Sequence, residues 1–469
     1  MNTRTLGAQT LAPLLVNARY QLAVPDGERR ALARAWLWLG LLSLIGSGLF
    51  SVLLVLSRTP GLNQWLPVAG FFRVALVVHV DLSVLVWFSA IAGMLWSLNG
   101  PPRALAWGWA ALGLASAGAA LMSLAPFTGN ATAVMANYIP VLDTPLFLAG
   151  LALFGAGAAL LALRGMCFAP KLELPLSGGS ALRFGLNASV VSAAVALLAF
   201  AWSLAVVPSA LTDKAYYEIV FWGGGHALQF TWTLLMLVAW LWLADAGQAP
   251  TGLPPRIALL LFGLALIGVF ATPYAYLAHD IASVQHRKIL TMAMRLGGGL
   301  AVLPIGLAVA LALANAPRPS AAARPLRAAL AASVLLFAAG GVAGVFINGE
   351  NVRVPAHYHG CIVGVTLALM GLVYHLLPQL GYGAPNPRWA AVQPWLYGLG
   401  QLLHVAGLLW SGGYGVQRKV AGAEQVLGSA SEVAGMALMG LGGLVAIVGG
   451  LLFVVLVAQS ILRGNRSMV

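Results

Sequence analysis

A chain of 469 residues that is 60% hydrophobic and 8% charged, with a mean hydropathy of +0.89, lies outside the composition of water-soluble globular domains. Its formal charge of +13 would suit a nucleic-acid binder, but the basic residues sit in short connections between apolar segments, where membrane topology places them. The two cysteines, Cys167 and Cys361, stand at unrelated positions, which excludes a disulfide scaffold and a cysteine-rich metal centre. The start of the chain is polar and shows no short apolar run with a cleavage site, so no removable signal peptide is expected.

Apolar windows of about 20 residues, long enough to cross the hydrocarbon core, recur twelve times. They fall at 37–57, 72–98, 104–125, 142–163, 183–208, 217–244, 256–277, 288–314, 325–347, 356–377, 390–411 and 432–457. The connections are rich in Pro, Gly and charge, as in GQAPTGLPPR (247–256) and NAPRPSAAARPLR (315–327). The expected fold is all-α and integral to a membrane. A twelve-transmembrane-helix bundle would occupy 37–457, flanked by cytoplasmic segments 1–36 and 458–469. With the N-terminus inside, 16 of the 25 basic residues fall on the cytoplasmic side, from Arg4 to Arg466, which places both termini there.

In chain order, the second segment carries His79 near its outer end and the sixth carries His226 in VFWGGGHALQFTW. His279 and His286 follow the seventh. The tenth opens on VPAHYHGCIVG, with His357 and His359, and holds His375 toward its inner end; the eleventh carries His404. Seven of the eight histidines therefore share one outer layer on segments distant in sequence. Imidazole is costly in hydrocarbon and marks function there by default. His404, His375 and His286, taken singly, read as hydrogen-bonded interface residues; His79, His226, His357 and His359 together read as metal ligands, since neutral imidazole binds haem iron readily. Residues two apart on a helix point about 200° apart. His357 and His359 thus serve opposite sides of one helix, and two haems flanking it would use both. His359 would face His79 across a six-coordinate haem, and His357 would hold a second haem whose open side lies toward His226.

This pattern resembles the catalytic subunit of the haem-copper oxidase superfamily, which includes terminal oxidases and bacterial nitric oxide reductases, over nearly the whole chain. The resemblance assigns His79 and His359 to a low-spin haem, His357 to a high-spin haem and His226 to copper or non-haem iron. It places Arg418 and Lys419, in GYGVQRKVAG, against haem propionates, and Arg353 is a further cation on the same side. Two features depart from the family. The adjacent histidine pair expected on the seventh segment is missing from VFATPYAYLAHDIASVQHRK, where Tyr274 and Ala275 stand; His279, Asp280 or His286 would have to substitute, or the second metal is incomplete. The sixth segment has Phe230 where oxidases usually carry a cross-linked tyrosine and nitric oxide reductases often a glutamate, leaving Tyr274 or Tyr276 to serve in its place.

Apart from Asp81, no acid lies well inside a segment, so protons are expected from the outer face, past Asp213, Glu218, Asp280, Glu350 or Glu432. The family reading implies a respiratory oxidoreductase of the bacterial inner membrane, with haems near the periplasmic side. It would pass electrons from the low-spin to the high-spin haem and reduce a diatomic. Nitric oxide is slightly preferred over dioxygen because its two-electron reduction needs no redox tyrosine. A partner subunit, cytochrome c or quinol must supply electrons. A haem sensor or assembly protein without turnover stays open, as does a carrier with incidental histidines.

Overall fold

The computed structural model describes residues 19–62, 71–129 and 131–466; Arg4, with the rest of the first eighteen residues and the last three of the tail, lies outside the described residues. Twelve long helical runs follow one another: α1 (Glu28–Arg58), α2 (Phe72–Asn99), α3 (Leu105–Leu124), α4 (Pro145–Cys167), α5 (Gly178–Val206), α6 (Asp213–Ala246), α7 (Pro255–Ala278), α8 (Val284–Asn315), α9 (Arg324–Val345), α10 (Arg353–Leu376), α11 (Pro387–Gly413) and α12 (Ala430–Arg466). Each contains or closely overlaps one predicted segment. Most run past it, because interfacial turns with polar residues continue the helix beyond the apolar stretch.

Among the described residues eleven of these are long and apolar enough to cross a membrane. The remaining one, α11, is 27 residues long, but Gln393, Gln401 and His404 and the prolines at 387 and 394 dilute its hydropathy. Between α3 and α4 the two-residue strands β1 (Ala133–Val134) and β2 (Val141–Leu142) pair antiparallel. The apolar windows of the sequence carry no sign of this small hairpin.

Consecutive helices pack side by side, and α12 returns to lie against α1 as well as α11. Three helices sit inside. The apolar windows of α6, α10 and α2 are 89%, 78% and 61% buried, against 44% or less for every other spanning helix. A helix that is apolar on all sides must face either lipid or other helices; these three face helices. They are the ones that carry His226, His357 with His359, and His79.

In α2 an α-helix to Val80 gives way to a π-helical turn at Asp81–Val86. The Ser83 hydroxyl donates to the His79 carbonyl at 2.6 Å. Such back-bonding competes with the main-chain ladder, and a single π turn lets the helix re-aim its faces. Asp81 is buried here, with both carboxylate oxygens lacking a partner among the described residues.

Where neighbouring helices cross, glycines let the backbones touch, as expected of membrane helices. A Cβ on Gly118 of α3 would lie 2.5 Å from the Gly150 carbonyl and the Phe154 nitrogen of α4, whereas one on Gly113 would meet nothing. Overpacking a close contact costs ~1–3 kcal/mol. Gly118→Leu is therefore expected to lower the thermal midpoint of the detergent-solubilised protein clearly, and Gly113→Leu to leave it nearly unchanged. Equal midpoints for the two would remove the tight α3–α4 seam from the account.

A histidine centre on the inner helices

The tautomers of the histidines follow from their partners. A carbonyl oxygen only accepts, so a ring nitrogen facing one carries the proton. His79 Nδ1 donates to the Ser47 carbonyl at 3.0 Å, His226 Nδ1 to Trp222 at 2.8 Å and His357 Nδ1 to Gly340 at 2.8 Å. His404 Nδ1 likewise donates to Met439 at 2.9 Å, and His286 Nδ1 to Ala275 at 3.2 Å. Each of these rings keeps a lone pair on Nε2. That is the state in which imidazole binds a metal, with the opposite nitrogen fixed by an outer-shell acceptor. His359 Nδ1 is 3.3 Å from the Gln401 side-chain oxygen, the same arrangement with an amide acceptor.

The two rings on α10 diverge. His357 turns to α9, where Gly340 accepts its proton and Gly344 leaves it room; a Cβ on Gly344 would stand 2.8 Å from Nδ1. His359 turns the other way, to α11, its ring 4.6 Å from that of His404 and within electrostatic reach of His79. The thiol of Cys361 lies 3.7 Å from His357 Nδ1, one turn below it. One helix thus presents an imidazole to each side, as the two-residue spacing requires.

His226 is 4% exposed and sits under aromatic rings. Its Nε2 is 3.0 Å from the hydroxyl of Tyr138, and the two ring centroids are 4.8 Å apart. Tyr138 lies in the connection between β1 and β2. Its position depends on the triple glycine that precedes His226. A Cβ on Gly225 would fall 2.2 Å from Tyr138 Cγ, one on Gly224 2.3 Å from Phe200, and one on Gly223 2.2 Å from the Tyr276 hydroxyl. Three glycines in a row thus let three aromatic rings lie directly on the α6 backbone.

The Tyr276 hydroxyl is 2.6 Å from Ser203 Oγ and donates to the Ala199 carbonyl, and its ring stands edge-on to His286 at 4.7 Å. His286 is 2% exposed and lies within electrostatic reach of His226. Burial, then Tyr358 and Glu218, push the Tyr138 phenol well above its usual range, so it holds its proton.

The structure does not bring all the expected residues together. Tyr274 points outward and is 59% exposed, because two residues along α7 from the inward Tyr276 reverses the face. His279 is the residue at which α7 ends. Among the described residues no three His, Cys, Asp or Glu side chains gather as a metal-ligand set. The family's three-histidine second metal therefore does not fit this chain, whereas the carbonyl-fixed rings of His79 and His357, with His359 held by an amide, fit haem ligation. His375 is hydrogen-bonded to Gln379 and edge-on to Trp242, an interface residue as read.

A cavity of about 420 Å3 is lined by Arg73, Lys214, Arg418 and Lys419, with Glu350 on its wall. Arg418 donates to Glu350 at 2.7 Å and to the Asn137 side chain at 3.2 Å; Lys419 Nζ donates to the Met135 carbonyl at 2.7 Å. Burial, then Arg418 and Lys214, pull the Lys419 ammonium down to about 8, while the Arg418 guanidinium holds the Glu350 carboxyl below its usual range. Arg353 lies apart: it donates to the Phe346 carbonyl and rests on the end of α11. Of the acids expected to admit protons, Glu218 accepts from both the main chain and the amide of Asn137, and Asp280 and Glu432 accept from nearby main-chain nitrogens.

A polytopic membrane protein whose three most buried spanning helices carry metal-ready imidazoles is the class this fold and site define. The family described as cytochrome c and quinol oxidase polypeptide I matches residues 31–452, and the chain belongs to that family. Its relatives include an uncharacterised protein of Rickettsia prowazekii, 28% identical over 94% of this chain and 98% of its own length. Another is an uncharacterised protein of Aquifex aeolicus, 29% identical over 74% and 85%. The fold is similar to that of a haem-copper terminal oxidase dimer solved by cryo-electron microscopy, with a TM-score of 0.74 and 17% identity over 93% of this chain and 85% of that one.

Proposed function

We propose that the chain is a respiratory oxidoreductase subunit that binds two haems, one between His79 and His359 and one on His357, and reduces a diatomic molecule beside His226. The observation that carries this reading is the opposed pair on α10: His357 fixed by Gly340 on one side, His359 set against α11 and α2 on the other. When bound, the haems supply one-electron redox chemistry and an open iron position. The chain's part is to hold each Nε2 toward its face, to bury the site beneath aromatic rings, and to keep cations at the outer edge.

Nitric oxide is the preferred substrate, since joining two molecules as nitrous oxide and water takes two electrons and two protons. Dioxygen is a second reading, favoured by Tyr276, a buried phenol hydrogen-bonded to Ser203 and packed on His286. With a reduced donor, steady consumption on a nitric oxide electrode and little on an oxygen electrode is the expected result. The reverse would select the second reading, and no flux with either would favour a sensor or assembly protein. The electrons would come from a partner subunit, a cytochrome c or a quinol. The charge bias of the connections supports the proposed topology: α11 as a twelfth crossing of a bacterial inner membrane, both termini cytoplasmic and the haems on the periplasmic side.

Arg418 and Lys419 are proposed as propionate contacts. Arg418 acts through space on Tyr358, which lies between the two α10 histidines. A unit charge about 12 Å away at an effective dielectric of about 20 is worth ~1.4 kcal/mol, or ~60 mV for one electron. Loss of a cation favours the more positive, oxidised haem. Arg418→Gln should therefore lower a haem midpoint potential by some tens of millivolts in redox titration; unchanged potentials would place the propionates elsewhere.

A further inference from the structure

We infer that Tyr138, His226 and His286 form a metal site of two imidazoles and one phenolate, in place of the three-histidine centre that this chain does not assemble. The inference rests on the reading of His226 as a ligand but gives it different partners. It starts from the pair at its core. With Nδ1 of His226 donating to the Trp222 carbonyl, Nε2 carries the lone pair, and the Tyr138 hydroxyl donates to it at 3.0 Å. Two donors bound at right angles to one metal, each about 2.0–2.1 Å from it, stand ~2.9 Å apart. The two atoms already have the bite of neighbouring ligands.

That placement is built in from several directions. The β1–β2 hairpin fixes the connection that holds Tyr138, and two further contacts hold the residues just before it: Lys419 Nζ on the Met135 carbonyl and Glu218 on Asn137. Gly225 leaves the space the ring fills, since a Cβ there would fall 2.2 Å from Tyr138 Cγ. The third donor comes from the start of α8. His286 is buried, its Nδ1 is held by Ala275, and its ring rests on Tyr276, whose hydroxyl sits over Gly223, one turn before His226. Its Nε2 is thereby left for a metal.

Imidazole suits several first-row metals, while a hard phenolate oxygen favours iron over Cu(I), so iron is the expected occupant. Binding forms two metal–nitrogen bonds and one metal–oxygen bond and breaks the phenolic O–H. The proton leaves to solvent and no electron moves.

The test uses the purified full-length protein, with non-haem iron and copper counted by mass spectrometry and tyrosinate ring modes sought by resonance Raman in protein grown on ring-deuterated tyrosine. One non-haem iron per chain is expected, with isotope-sensitive tyrosinate modes. Tyr138→Phe should abolish those modes and reduce iron retention during dialysis at least about tenfold. Gly225→Ala, which displaces the ring without removing a donor, should do the same, and His286→Ala should also release the iron. Unaltered haem bands in each variant show that the fold is intact. Haem without non-haem iron, or iron retained equally in Tyr138→Phe with no tyrosinate modes, overturns the inference and leaves the haem reading standing. Tyrosinate-bound iron in a protein without haem does the opposite.

Discussion

Replacement of His359 by alanine is expected to abolish the low-spin haem spectrum and to leave the high-spin haem and its carbon monoxide complex in place. The direction follows from the geometry of α10. The two imidazoles leave the helix on opposite sides, so deleting one empties one side only. A six-coordinate iron that loses one of two imidazoles becomes five-coordinate and high-spin, or is not retained at all. His79→Ala should give the same result from the facing helix, because its ring is fixed by Ser47 on α1 and not by anything on α10. His404 lies against His359 at 4.6 Å, so His404→Ala serves as the control; it should perturb the low-spin band without removing it. Persistence of a full low-spin signal in both His79→Ala and His359→Ala would defeat the assignment.

The second large effect is expected at His357. His357→Ala should remove carbon monoxide binding by the reduced protein and bring turnover to background, while the low-spin haem stays reducible. Outer-shell partners of metal-bound histidines alone are typically worth 10–100-fold in affinity or activity; the ligand itself must be worth more. Gly344 allows a graded version of this test. A Cβ there would stand 2.8 Å from His357 Nδ1, so Gly344→Ala should shift the high-spin haem spectrum without abolishing it. Carbon monoxide binding that survives His357→Ala unchanged would transfer the open haem to another ligand.

Much of the fold was legible in the sequence because hydrocarbon tolerates few polar groups. Helix spans follow from apolar length, and the four histidines singled out lie on the three most buried spanning helices. The remaining parts depend on contacts that periodicity does not carry. Tyr138 reaches His226 from a hairpin 88 residues earlier in the chain. The only local sign was the run of glycines at 223–225, which makes sense once three rings are seen lying on it. The choice between Tyr274 and Tyr276 needed the phase of α7, which reverses within two residues. By sequence Arg353 falls on the same side of the membrane as Arg418 and Lys419, but its guanidinium donates to the Phe346 carbonyl and lies against the end of α11. His286 read as an interface histidine and is hydrogen-bonded as one; its nearness to His226 arises because the turn after α7 folds back onto α6, a tertiary fact.

The most direct measurement is the optical spectrum of the purified protein, oxidised, reduced and reduced with carbon monoxide, together with a pyridine haemochrome count. Two haems per chain, one low-spin and indifferent to carbon monoxide and one high-spin that binds it, is the predicted result. A colourless protein, or a single haem that is insensitive to His357→Ala, would contradict the account.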